Sequence, residues 1–413
     1  KTPQATNYPS KFGLKMKYLV LIANGLTDRP IAEKENKTPL QLADTPNLDR
    51  MVQEGISGSV QTIPENCQTG NEISYLSLLG YDPEKNDIGP AYFDALAIGL
   101  NLKDGEIPLC CDFVTLQASH NDMVMKDYTA GHLSCKESKN YLNALQNQIS
   151  DCAVNFYPGL GPHNIMVMHS KPFTKRLTPP NELIGEGIRK FMPVDDQFKE
   201  LIYIINQAQI ILHNHPVNKK RKLENLDSAN SIWLWGNGKK GTLHPFEKKF
   251  GKPGSLISAS LLFQGIGKAA NMNVISVEGA TGFAETNFNN KVKATIHELQ
   301  RQDIVYLNIA GIEEVSLKGN IDDKILTIED IDSKVINPLL KEFSKNNDVK
   351  MMVVVNHMNS AVDVKYGTDR VPFVISGKNE TNSVNKFDEN LLDKRNNHFK
   401  SGPDLMNMFF DIN

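Results

Sequence analysis

The sequence has no stretch of about 18 apolar residues, the length a helix needs to cross a bilayer, so no membrane span is expected in its 413 residues. It also has no CxxC pair. The five cysteines, Cys67, Cys110, Cys111, Cys135 and Cys152, are odd in number and lack metal-type spacing. That fits buried thiols in a reducing compartment better than a secreted disulfide scaffold. An excess of charge is missing too: 45 lysines and arginines face 48 aspartates and glutamates, for a formal charge of −3. No global basic face is present to hold nucleic acid or anionic lipid. Acidic residues are absent from Lys1 to Thr27, while Lys1, Lys11, Lys15 and Lys17 are basic. This bias reads either as the edge of a processed organellar transit peptide or as a plain tail. The expected location is intracellular, in the mitochondrial matrix or the cytoplasm.

What is present is enough apolar residue, 40%, to bury a large core, and a length that suits about two domains. Met16 to Ile22 is a continuous apolar run ending at Asn24-Gly25, as in a strand buried on both faces of a parallel sheet. Thr45 and Pro46 read as N-cap and first residue of a helix with Leu48, Met51 and Val52 on its apolar face, closed by Gly55. Ile304 to Ile309 and Lys350 to Val355 read as two further buried strands, with a helix from Asp323 to Phe343 between them. The pattern predicts a doubly wound α/β sheet. Residues 111–239 carry their own strand-like and helical runs without the Gly/Ser/Pro bias of a tether, and read as an inserted smaller α/β domain. The expected division is an N-terminal extension 1–15, a discontinuous core of 16–110 and 240–413, and the insert 111–239. Lys378 to Lys400, polar and poor in apolar residues, reads as a surface loop.

Several long motifs are more specific. They include NKTPLQLADTPNLDRM (Asn36 to Met51), LSLLGYDPEK (Leu76 to Lys85), YTAGHLS (Tyr128 to Ser134), HPVNKKR (His215 to Arg221), SANSIWLWGNGK (Ser228 to Lys239), LISASLLFQGIGKAANMNVISVEGATG (Leu256 to Gly282), KILTIEDIDSKVINPLL (Lys324 to Leu340) and RVPFVI (Arg370 to Ile375). Together they make the chain resemble the archaeal-type cofactor-independent phosphoglycerate mutases of the alkaline-phosphatase superfamily, from Met16 to about Phe410. The resemblance implies an alkaline-phosphatase-like fold. It also implies phosphoryl transfer through a serine beside two manganese or magnesium ions, which demands carboxylate and imidazole ligands at close range.

The positions that should carry this chemistry are changed. Where the family has the metal-binding aspartate of Gly-Asp-Gly, this chain has Asn24, and where it has the nucleophilic serine, Asn71. Glu313 and Leu317 stand for an aspartate and a histidine four residues on, Asn356-His357 for an Asp-His pair, and Tyr366 for the last histidine. Only His357 is unaltered, and only Glu313 keeps a carboxylate. The family's phosphate-binding arginines are also missing, with Pro90, Cys110 and His163 in their places, although an arginine fork is what binds phosphate bidentately. The resemblance therefore implies a catalytically inactive relative, with no metal or other cofactor held, retained as a structural or interaction subunit with protein partners or a homologous subunit. No small-molecule ligand and no nucleic acid is expected.

The alternative is an active mutase or phosphatase with an altered site, using Glu313 and His357 for one metal and Ser74, Thr69 or Cys67 as nucleophile. Asp28, His132, Asn218, Lys219 and Arg221 match family positions. They could line a vestigial cleft between core and insert, or hold that interface together by hydrogen bonds and caps. Trp233 and Trp235 read as core or interface anchors.

Overall fold

The computed structural model describes residues 16–149, 152–345, 348–377, 384–393 and 397–412. The N-terminal extension 1–15 lies outside them. Lys17–Ala23 is the central strand of an eight-stranded sheet. From one edge the order is His398–Phe399, Ile56–Val60, Val371–Ile375, Val349–Val355, Lys17–Ala23, Ile304–Ile309, Gly254–Ile257 and Asn273–Ile275. The last five run parallel. Val371–Ile375 is antiparallel to both its neighbours. The fully apolar runs sit where both faces are covered: Leu19 to Ala23, Met351 to Val355 and Ile304 to Leu307 have no accessible surface.

A second, five-stranded antiparallel sheet is built from Glu106–Ala118, Met123–Asp127, Val154–Leu160, His163–His169 and Ser231–Trp235. The strand Glu106–Ala118 pairs only within this sheet, so a division at 110/111 would cut it, and the change from core to insert falls before Glu106. Strand alternation splits its faces. Ile165 and Val167 join the core of the large sheet, whereas Met166 and Met168 pack with Tyr141, Leu145, Ile204 and Leu212 from the helices Cys135–Gln148 and Lys199–His213.

Two local expectations are refined. Pro46 opens the helix Pro46–Glu54, but Thr45 makes no side-chain capping bond. The buried Asp332 carboxylate takes that role, accepting from the backbone N–H groups of Asn47 (3.2 Å) and Leu48 (2.8 Å), an anion at a helix N-terminus. The helix expected from Asp323 to Phe343 is Ile321–Ile331, a π turn Asp332–Ile336, and Asn337–Phe343. The π turn precedes Pro338, which has no N–H for the usual i→i−4 bond.

The segment read as a surface loop is more than that. Within its described part Phe387 and Leu391 are buried, and His398–Phe399 pairs with Ile56–Val60. Sparse apolar residues suffice there because Phe387 and Leu391 are inserted into the core and Val384 and Phe399 pack against it.

Candidate functional site

The C-terminal ends of the parallel strands lie level, with Ala23 beside both Ile309 and Val355, and open sheets gather their ligand sites at that end. Asn24 continues the central strand, Glu313 sits on the helix Gly311–Leu317 that follows Ile304–Ile309, and Asn356-His357 follow Val349–Val355. Asn71 starts the helix Asn71–Leu78, and Tyr366 comes from the ribbon Met358–Ser360/Lys365–Gly367. Gly25, at φ +75°, lets the helix close in: a Cβ there would stand 2.9 Å from Glu313 Cα.

These side chains bond to one another. Glu313 Oε1 accepts from Asn71 Nδ2 (2.7 Å) and from the Tyr366 hydroxyl (2.5 Å), and Oε2 accepts from Asn24 Nδ2 (2.7 Å). Asn24 Nδ2 also donates to the Tyr75 hydroxyl (2.7 Å), and Asn24 Oδ1 accepts from Asn308 Nδ2 (2.8 Å). Asn356 Nδ2 donates to Asn71 Oδ1 (2.8 Å), and Asn356 Oδ1 accepts from Gly25 N–H (3.2 Å). One anion is thus enclosed by three neutral donors. Burial, reinforced by the Glu313 charge, raises the pKa of Tyr366 far above the ordinary phenol value and keeps it a donor. Burial lowers that of His357, so its ring is neutral. His357 has acceptors on both sides, Met358 O at 3.1 Å and Asn71 Oδ1 at 3.2 Å, and a neutral ring donates to only one of them. Leu317 is buried and presents hydrocarbon to the cleft beside Tyr366.

The three candidate substitute nucleophiles lie in different surroundings. Ser74 is fully buried and its hydroxyl donates to Asn71 O (3.2 Å). Thr69 and Cys67 line a cavity of about 470 Å³ that Asn71 and Tyr366 also border, together with Arg176 and Glu182. Burial raises the Cys67 thiol above its ordinary pKa, which works against a thiolate. Arg176 is the cation in that cavity, held by Glu72 (3.0 Å) and Asp87.

The opposite wall carries the three positions where arginines were expected. Pro90 begins the helix Pro90–Ala97, which bears Asp94, and Cys110 and His163 lie on adjacent strands of the insert. His163 Nδ1 meets Asp112 Oδ1 at 2.5 Å, His163 Nε2 meets Asp94 Oδ2 at 3.1 Å, and Cys110 Sγ donates to Asp94 Oδ2 at 3.3 Å. Trp235 Nε1 donates to Asp112 Oδ2 at 2.7 Å, which gives this tryptophan a polar role as well as an anchoring one. Burial opposes protonation of His163, but Asp112 and Asp94 outweigh it and hold its pKa well above the ordinary value. Asp94 Oδ1 is buried without a partner. Asp112, His163 and Trp235 share a cleft with Asn24, Asn71, Glu313 and Tyr366.

The vestigial-cleft group does not assemble. Asn218 and Arg221 are buried inside the insert. Asn218 donates to Leu212 O and Ala229 O, and Arg221 ties Glu137 to the carbonyls of Ala130, Gly131 and Asp227. Lys219 is exposed on the same helix. Asp28 belongs to the core, in a fully buried ion pair with Lys324 at 2.8 Å. His132 alone approaches the interface, with its Nε2 3.8 Å from Glu314 and its ring edge against Phe283. The polar partners that sequence reasoning missed are Tyr75, Asn308 and Asn181, the last donating to the Tyr366 hydroxyl at 2.7 Å from the insert. The asparagine inside the otherwise apolar run Ile304–Ile309 was the available signal for Asn308.

Comparison with known proteins is consistent along the whole chain. The family model for 2,3-bisphosphoglycerate-independent phosphoglycerate mutase matches residues 52–218. A probable enzyme of that name from Geobacter sulfurreducens is 35% identical over 399 residues, covering 96% of this chain and 100% of that protein. The Methanosarcina mazei enzyme is 35% identical over 380 residues, covering 91% and 94%. Among solved structures, the PH0037 protein from Pyrococcus horikoshii superimposes with a TM-score of 0.75 at 24% identity, covering 97% of each chain. The cofactor-independent phosphoglycerate mutase from Thermoplasma acidophilum does so with a TM-score of 0.55 at 24% identity, covering 96% and 99%.

Proposed function

The chain belongs to the 2,3-bisphosphoglycerate-independent phosphoglycerate mutase family, and from that premise we propose that it has lost the family's phosphoryl transfer and serves as a structural or interaction subunit of a larger protein assembly. The observation that carries this reading is the direction of the donors around Glu313. Three neutral N–H and O–H groups point at its carboxylate, where a metal-binding centre needs lone pairs pointing at a cation. The donor set does not fit a pair of divalent ions. Each carboxylate replaced by an amide removes on the order of 10 kcal/mol of gross attraction to a divalent ion at an effective dielectric near 20, before desolvation. At the nucleophile position, the Asn71 amide has no oxyanion to offer a phosphoryl group, and both its ends are engaged by Glu313 and Asn356.

Retention of the shell around the centre supports a role in shape. The buried Lys324–Asp28 pair, with Lys324 also donating to Thr27 O and Asn359 O, fixes the loops that once had to hold metal ligands. Among the described residues no helix is long and apolar enough to cross a membrane. Val194, Ile210 and Leu223 of the insert are exposed apolar residues, and a protein partner is best sought there first.

Assay of 3-phosphoglycerate to 2-phosphoglycerate interconversion, with manganese supplied, tests the loss of chemistry. No turnover above background is expected; ordinary enzyme rates of about 1–10³ per second would overturn the reading. Combined reversion by Asn24→Asp, Asn71→Ser, Leu317→His, Asn356→Asp and Tyr366→His should restore metal binding before turnover, because the arginine positions 90, 110 and 163 stay changed.

A further inference from the structure

The opposite wall has a different chemistry from the centre just described. Asp94 lies on a helix of the core, Cys110 and Asp112 project from one face of the insert strand Glu106–Ala118, and His163 is directly across from Asp112 on the next strand. One carboxylate oxygen of Asp94, Cys110 Sγ and an imidazole nitrogen of His163 all lie within 4.8 Å of one another. We infer that Asp94, Cys110 and His163 form a binding site for one zinc-class divalent ion that joins the core to the insert.

Four observations carry this. The donors are one thiol, one imidazole and one carboxylate, a combination that suits zinc and not magnesium or calcium. Their spacing is near what a tetrahedral ion imposes, since zinc bonds of about 2.0–2.3 Å put neighbouring donors roughly 3.3–3.8 Å apart, against 3.1 Å for His163 to Asp94 and 3.3 Å for Cys110 to Asp94. His163 is already oriented as a ligand: Nδ1 is bonded to Asp112, which Trp235 holds in turn, leaving Nε2 aimed at the site. That is the outer carboxylate arrangement by which zinc sites fix the imidazole tautomer. Finally, Asp94 is 1% exposed, and while its Oδ2 meets His163 and Cys110 its Oδ1 is buried without a hydrogen-bond partner, so this carboxylate has acceptor capacity that is costly to leave unmet and that a bound ion, by either oxygen or both, would use.

Binding is balanced without a co-reactant. The Cys110 thiol proton and any proton on His163 Nε2 pass to solvent as the ion enters, and nothing is oxidised. One positive and two negative groups of charge then meet as a dication, a thiolate and a carboxylate with no net excess. Asp112 stays outside the coordination shell, paired with the His163 Nδ1–H. The side chain of His163 is 28% exposed and lines the cleft, from which water can reach the site.

The test uses the full chain, stripped with chelator and titrated with cobalt(II) and then zinc. One equivalent of cobalt should bind with a thiolate-to-cobalt charge-transfer band and tetrahedral d–d bands, and zinc should displace it. Cys110→Ser should abolish the charge-transfer band. His163→Gln should weaken binding at least tenfold, and Asp112→Asn about 10–100-fold with the band retained. Glu313→Gln, in the other wall, should leave cobalt binding unchanged. Circular dichroism of each apo variant identifies any that fail to fold, and for those Asp112→Asn carries the decision. No charge-transfer band in the wild-type chain, or a band that persists in Cys110→Ser, would overturn the site. These readouts are independent of turnover and of the loss of phosphoryl transfer.

Discussion

Two walls of one cleft handle buried charge in opposite ways. At the strand ends, where the family resemblance implies aspartates, a serine and histidines, stand Asn24, Asn356, Asn71, Leu317 and Tyr366, and the amides of Asn24 and Asn71 with the Tyr366 phenol close around Glu313. On the insert side Pro90, Cys110 and His163 stand where the resemblance implies arginines, and Asp94 and Asp112 have a single histidine between them. That wall is left with surplus anion and a buried oxygen without a partner. The polar groups of the first wall satisfy one another, whereas the second wall keeps an acceptor without a partner.

The largest effect should come from undoing the neutralisation at the first wall. Asn24→Asp with Asn356→Asp places carboxylates where Asn24 Nδ2 now meets Glu313 at 2.7 Å and Asn356 Nδ2 meets Asn71 at 2.8 Å. Uncompensated buried charge of this kind costs about 3–5 kcal/mol, so the metal-free variant should unfold at a much lower urea midpoint. Manganese should recover part of that loss, read from the same melts. A variant as stable as wild type without metal would mean that this wall is not self-satisfied.

A sharper version leaves the charge count of the wall lower. Glu313→Gln keeps one acceptor oxygen and turns the other into a donor facing Asn71 and Tyr366, or Asn24. Loss of those bonds should cost about 2–3 kcal/mol. At the second wall Asp112→Asn still accepts from His163 or Trp235, and its cost should be smaller. The comparison fails if the two substitutions prove equal in denaturant melts.

The fold and the position of the first wall were legible because long motifs and buried apolar runs both specify strands, and functional positions follow strand ends. What the side chains do after substitution was not legible. Asn308 lies on the strand and reads as a flaw in an apolar run until Asn24 is seen beside it, and Asn181 reaches Tyr366 from a segment far away in sequence. Asn218 and Arg221 matched family positions for another reason: they satisfy buried carbonyls within the insert, which a motif match cannot tell from lining a cleft. The division at 110/111 falls within the strand Glu106–Ala118, whose pairing with strands between Met123 and Trp235 is not written in its own residues.

The smallest effect concerns the cavity next to the first wall, and its sign separates a buried carboxyl from a paired one. Burial raises the pKa of Glu182 to about 7, and Glu182 lines the cavity with Arg176 and Asn181. A carboxyl whose pKa is higher in the folded than in the unfolded chain binds more protons when folded between pH 4.5 and 7. Stability should therefore fall as pH rises through that window and level off above it. Glu182→Gln removes the titration and should leave stability near pH 5 unchanged. At pH 8 it should stabilise the chain by up to about 2 kcal/mol, the shift being discounted for partial exposure. Urea melts at both pH values give the difference directly. A variant less stable than wild type at pH 8 would show that Glu182 is held as an anion by Arg176, and that this cavity, unlike the first wall, balances its carboxylate with a cation.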